Sequence, residues 1–243
     1  MNAWDNEIYV DPMKFWKQIL ERALEWTGEI PEIPDTYNDS FTLFERRGLV
    51  PFYMPKLSAN QLVELFPRRL SDSYNDSGSE HIPLVGRWLM VETVMKPNKE
   101  DPRGYGKGVD PLCEVVEIGD RRRVSPNLLQ DLYISQIAGH FGVDRATVQL
   151  PSVEEWRVIA YLFQWIEYYL NMTTIQDITD TNLEEWCRNE SIYTMGGVTP
   201  TRLLLTATVG AGKVFCVCRN KPSYTGPQHG GFSDVGFRLI VVL

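Results

Sequence analysis

Cysteine and histidine are the side chains of this sequence best able to ligate a soft metal or to form a nucleophile and base pair, and their spacing decides whether they do. The four cysteines, Cys113, Cys187, Cys216 and Cys218, lack the paired C-x-x-C spacing of a zinc site and are too scattered for a disulfide scaffold. Cys216 and Cys218 lie two apart in an apolar run; on a strand they share a face without the geometry a disulfide prefers, so reduced thiols are expected. His81, His140 and His229 are isolated from one another. His229 sits in a glycine-rich stretch with Asp234 nearby, but no serine or cysteine nucleophile accompanies it in a recognised local pattern, which leaves a surface contact residue. Phosphate chemistry fares no better. Gly210-Ala211-Gly212-Lys213 looks like the end of a phosphate-binding loop, yet Ala207 stands where the first glycine is needed and Val214 where a metal-binding hydroxyl is needed, so a strand-to-strand turn is expected. Gly104, Gly106 and Gly108 alternate with no helix to follow, and Arg121, Arg122 and Arg123 read as a solvated face. No catalytic residue, metal or cofactor is expected; the aspartate-rich loops hold no complete calcium ligand pattern.

Composition narrows the partner. With 43% hydrophobic and 23% charged residues, a chain of 243 residues can bury one substantial core. Its net charge of −8 repels phosphate backbones and anionic lipid heads, which argues against non-specific nucleic-acid or membrane-surface binding. No window approaches the roughly eighteen apolar residues that span a bilayer. The opening MNAWDNEIYVDP has neither the basic start nor the apolar stretch of a secretory signal, so synthesis in the cytoplasm is expected, with the final location left open.

The elements that must position any site follow from periodicity. Phe15, Trp16, Ile19, Leu20, Ala23 and Leu24 recur at helical spacing after an Asp11 N-cap, with Gly28 as the expected stop. Pro31, Pro34, Pro51 and Pro55 predict extended and turning chain, broken by a short helix at 58–65. The polar run 71–79 predicts a loop and a boundary, dividing the chain into an N-terminal extension, 1–80, and a principal domain, 81–243. The stretch 82–95 predicts one or two strands, 125–142 a helix, and 152–170 a longer helix opened by a Ser152/Glu155 capping box. Beyond Met195 come strands at 203–209 and 213–218, a polar loop at 220–233 and one closing strand at 235–243. The fold class is therefore α+β. The tryptophan-bearing N-terminal helix is expected to pack on the protein's own sheet, a subunit contact being the alternative.

Three of these pieces, in order, resemble one family. LPSVEEW at 150–156, EEWCRN at 184–189 followed by MGG at 195–197, and DVGFRLIVVL at 234–243 resemble the helix opening, the glycine-pair element and the terminal strand of formylglycine-generating-enzyme-like proteins. The resemblance covers about 95 residues and implies a C-type lectin fold. Within that group the chain is similar to the variable proteins of diversity-generating retroelements, on WLMVETVMKPN at 88–98, the GYGKGVDPL loop and the ending VGFRLIVVL. The family's oxidase uses two cysteines shortly after the glycine pair, but VTPTRLLLTATV follows Gly197 here and Cys216 comes too late; the iron-binding sister branch needs clustered histidines. What the resemblance implies is a binding protein, not an enzyme, with a variable region at 196–241.

Adenine-directed rewriting of asparagine codons cannot produce Trp, Glu or Met, and the last of each in this chain are Trp186, Glu190 and Met195. By the same rule Lys213, Lys221 and Gln228 belong to fixed positions. The expected contact residues are Thr199, Thr201, Leu204, Thr206, Thr208, Cys216, Cys218, Asn220, Ser223, Tyr224, His229 and Phe232, with core packing as the competing role for Leu204, Cys216 and Phe232. Gly196, Gly197, Gly236, Phe237 and Arg238 are expected in the scaffold, Arg238 needing a carboxylate or carbonyl partner if buried. Tyrosine, histidine and serine on a polar loop favour a protein ligand over a small molecule. An enzyme of the same fold with another site, or a phage or cell-surface structural component, are the alternatives; the oligomeric state stays open.

Overall fold

The computed structural model describes residues 8–35, 37, 49–66, 83–92, 133–170, 184–187, 201–210, 213–221, 235–237 and 239–243. It is an α+β arrangement of helices and two four-stranded sheets. Helix α1 (Pro12–Leu24) begins as expected: the Asp11 carboxylate accepts from the Lys14 amide at 3.0 Å, and Pro12 occupies the first turn. It does not run on to Gly28. Glu25 takes the left-handed conformation (φ 51°), and the Trp26 amide returns to the Leu20 carbonyl at 3.2 Å, closing a Schellman-type turn three residues earlier. Gly28 instead makes room for an indole, since a Cβ there would lie 2.2 Å from the Trp26 ring.

The segment expected to be merely extended holds a fully buried strand, β1 (Leu49–Met54). Helix α2 (Ala59–Leu65) follows, with reciprocal capping between Ser58 and Gln61. Strand β2 (Arg87–Glu92) lies where the apolar run predicts it. Helix α3 (Ile134–Phe141) ends on Gly142 in the left-handed region (φ 71°); the earlier part of the predicted 125–142 helix and the 71–79 loop fall outside the described residues. Strand β3 (Val148–Gln149) then leads into helix α4 (Val153–Leu170). Its capping box forms: the Ser152 amide donates to Glu155 at 2.7 Å, and the Glu155 amide donates to the Ser152 hydroxyl at 3.1 Å.

The first sheet has the order β1–β2–β8–β3, antiparallel throughout, with β8 at Ile240–Val242. Register assigns its two faces. Val50, Phe52, Leu89, Val91 and Ile240 share the face that packs with α1 and α4; Leu49, Met90, Val148 and Val241 share the face that packs with α3. Burial on both sides explains why these strands read as continuous apolar runs. The first face is centred on Trp16, Phe52 and Phe163, whose ring centroids lie 4.4–6.0 Å apart. Trp16 is wholly buried against the protein's own sheet, as the sequence leads one to expect.

The second sheet has the order β6–β5–β4–β7, with β4 at Glu184–Cys187, β5 at Thr201–Gly210, β6 at Lys213–Lys221 and β7 at Val235–Phe237. Its pairs are antiparallel except β4 with β7. Here the expected single closing strand divides: β7 belongs to this sheet and β8 to the other. Leu239, buried between them, is held by Glu92: its amide donates to the Glu92 carboxylate at 3.2 Å, and its carbonyl accepts from the Glu92 amide at 3.4 Å. The buried carboxylate of Glu92 thus marks the point where the chain changes sheet.

Candidate functional site

The candidate surface is the hairpin of β5 and β6. Its ladder runs through nine pairs from Arg202↔Lys221 to Gly210↔Lys213, leaving two residues to connect the strands, in keeping with the turn expected at 210–213. Strand β4 joins through Glu184↔Leu204 and Trp186↔Arg202, and β7 through Glu185↔Gly236 and Trp186↔Phe237. Gly236 and Phe237 therefore stand at the base of the hairpin, in a strand that leads directly into the central strand of the first sheet. Helix α4 lies against β6.

Seven of the expected contact residues fall on this hairpin, and directly paired residues share a face. Leu204, Thr206 and Thr208 share one face with Arg219, Val217 and Phe215. Thr201, Cys216, Cys218 and Asn220 belong to the opposite face, with Leu203, Leu205 and Ala207. The seven positions thus divide three to four between two faces, and no single platform of this ladder presents them all. Asn220, expected to open a loop, is instead paired with Leu203 inside β6. Thr199, Ser223, Tyr224, His229 and Phe232 lie outside the described residues, as do Gly196, Gly197 and Arg238.

The two faces differ in chemistry. One set holds Leu203, Leu205, Ala207, Val209, Val214, Cys216 and Cys218, with Thr201, Asn220 and Glu185 of β4. The other brings Arg202, Lys213, Arg219 and Lys221 to one face with Glu184, among Leu204, Thr206, Thr208, Phe215, Val217 and Trp186. Sequence reading missed this cationic set because its four members are dispersed over twenty residues; charge counted segment by segment reveals it. Residues 191–243 carry five basic and one acidic side chain, a net +4, which leaves −12 on residues 1–190 of a chain whose total is −8.

Elsewhere two buried carboxylates have structural partners. Glu155 joins its capping role to an ion pair with Arg87 of β2, and Glu92 holds Leu239. His140 lies in the last turn of α3 beside Phe141, with 5.6 Å between ring centroids. Among the described residues there is no group of three or more His, Cys, Asp or Glu side chains able to hold a metal ion, and no helix is long and apolar enough to cross a membrane. Compared with protein-family models, curated protein sequences and solved structures, the chain gives no match.

Proposed function

We propose that this chain is a ligand-binding module that recognises a protein, built as a C-type lectin scaffold and serving as the diversified variable protein of a diversity-generating retroelement. The observation that carries this reading is the position of the tail: seven of the twelve expected contact residues lie on a long hairpin whose base is joined through β7 and β8 to the other, largely buried sheet. A rigid base with a projecting ladder lets contacts change while the core stays fixed. The register divides the expected contacts into two sets, Leu204, Thr206 and Thr208 on one face and Thr201, Cys216, Cys218 and Asn220 on the other.

The test is sequence variation within one population. The gene is sequenced deeply from codon 196 to 241, and the neighbouring region is searched for a near-identical template and a reverse transcriptase. Substitutions concentrated at adenine-derived codons, with Leu204, Thr206 and Thr208 among them, are the expected result. An invariant tail with no template overturns the reading and returns the chain to a binder of fixed specificity.

A further inference from the structure

We infer that the cleft formed by Trp26, Tyr53 and Trp88 is a docking site for a proline-rich peptide segment, and that the chain's own residues 29–34 occupy it as a displaceable strap. Tyr53 and Trp88 are directly paired across β1 and β2, with ring centroids 5.3 Å apart, and Trp26 continues the row at 5.9 Å from Tyr53. The strap reads Glu29-Ile30-Pro31-Glu32-Ile33-Pro34 and belongs to no helix or strand. Each proline fixes its own φ and pushes the isoleucine before it out of the helical region, so Ile30, Pro31, Ile33 and Pro34 are all set toward an extended polyproline conformation. That conformation turns once in three residues. Burial follows the same period: Ile30 and Ile33 pack against the cluster that holds the three aromatic rings, while Glu29, Pro31 and Glu32 are exposed. The indole nitrogen of Trp88 donates to the Pro31 carbonyl at 2.9 Å.

Polyproline recognition needs an aromatic-lined groove, apolar side chains three apart, and a donor for a backbone carbonyl that has no partner within its own segment. All three meet here. A β-strand ligand would alternate with period two and turn one of the isoleucines away, so the cleft selects the proline-rich class. The strap is also the covering segment with least to lose by leaving. Among the described residues, 27–33 takes part in no strand pairing, whereas the rest of that sheet face is covered by α3. Movement is confined at both ends. Upstream, buried Trp26 is tied through its amide to the Leu20 carbonyl and through its indole nitrogen to the Lys56 carbonyl, with Gly28 opening the strap beneath its ring. Downstream, buried Tyr37 donates its amide to the Pro34 carbonyl at 2.9 Å. A tethered occupant competes at an effective concentration on the order of millimolar, so the chain inhibits its own cleft, and an external I-P-x-I-P segment enters when it is abundant or multivalent. The cleft lies on the first sheet and the hairpin on the second, so strap exchange does not depend on whether the tail varies.

The test uses the full chain and a fluorescein-labelled peptide of its own sequence from Gly28 to Asp35, read by fluorescence anisotropy. The wild-type chain is expected to bind it weakly. Ile30→Ser with Ile33→Ser in the chain loosens the strap and is expected to tighten peptide binding about tenfold. Adding Trp88→Phe, which removes the indole donor, reverses that gain by about tenfold, and a peptide with both prolines replaced by alanine binds about tenfold more weakly. A second measurement needs no variant to fold: hydrogen exchange of the wild-type chain with the peptide at about 1 mM is expected to quicken at 27–35 and stay unchanged in α4. No change in exchange at 27–35, equal binding of the alanine peptide, or equal binding by the Trp88→Phe chain overturns the inference. So does concentration-dependent dimerisation that shuts the peptide out, which would assign the cleft to a second copy. An invariant tail with intact peptide binding leaves this inference standing, and a diversified tail without peptide binding removes this inference alone.

Discussion

The indole nitrogen of Trp16 donates to the carbonyl of Pro51 at 2.7 Å, joining a helix and an edge strand thirty-five residues apart. Two residues earlier on the same strand, the Leu49 carbonyl accepts from the Tyr9 hydroxyl at 2.8 Å. Carbonyls two apart on a strand point the same way, so the N-terminal helix and the residues just before it satisfy the outer edge of β1, where a proline costs no ladder bond. Trp16→Phe keeps most of the ring volume but strands a buried acceptor, and is expected to destabilise by about 1–3 kcal/mol. Trp16→Ala adds a cavity and is expected to cost about 3–5 kcal/mol. Urea unfolding of both variants measures the difference.

Glu25 and Gly28 respond in opposite directions to small changes. Glu25→Gly relieves a left-handed residue with a Cβ and is expected to stabilise by up to about 1 kcal/mol. Gly28→Ala drives a methyl into the Trp26 ring, whose nitrogen donates to the Lys56 carbonyl at 3.4 Å, and is expected to cost about 1–3 kcal/mol. A thermal melt of each variant reads the sign directly.

Glu155 serves helix and sheet at once, through the cap on Ser152 and the ion pair with Arg87. Glu155→Gln keeps an oxygen for the Ser152 amide and loses the charge; Glu155→Ala loses both. The expected order of stability is wild type, then glutamine, then alanine, the last lower by about 2–4 kcal/mol. Equal losses in the two variants refute the dual role.

Burial pushes the Tyr53 hydroxyl above its ordinary value of 10.0, and burial, followed by the charge of Tyr169, does the same to Tyr161. Both folded groups hold their protons more tightly than the unfolded chain does. Their contribution is therefore complete below pH about 10 and is lost as pH rises past it, because the unfolded state then sheds protons first. Stability measured from pH 8 to 11 is expected to fall at the alkaline end, and Tyr53→Phe with Tyr161→Phe to flatten that fall.

Much of the first sheet and its helices is legible in the chain. Asp11, Ser58, Ser152 and Glu155 announce their helices because caps are local, satisfied within three residues. The strand at Leu49–Met54 is not, because Pro51 reads as turning chain and only the tertiary position at a covered edge makes it acceptable. The division of 235–243 between sheets is equally invisible: VGFRLIVVL is one apolar run, and the break at Leu239 is imposed by Glu92, nearly 150 residues upstream. For the hairpin, alternation along each strand is readable, but which residues of β5 stand beside which of β6 requires the register, and with it the cationic face emerges.

The route of the final segment through both sheets makes the fold a censor of reading frame. Strand β8 sits between β2 and β3, so the first sheet has no middle until it arrives. A stop codon or frameshift anywhere in 196–239 deletes that middle and exposes the apolar faces around it to chaperones and proteases. Substitutions that keep the frame leave it untouched. Substitution at the adenines of asparagine codons leaves a pyrimidine in the third place, so it makes no stop codon and keeps the frame; a tail rewritten in that way would always be translated through Val242.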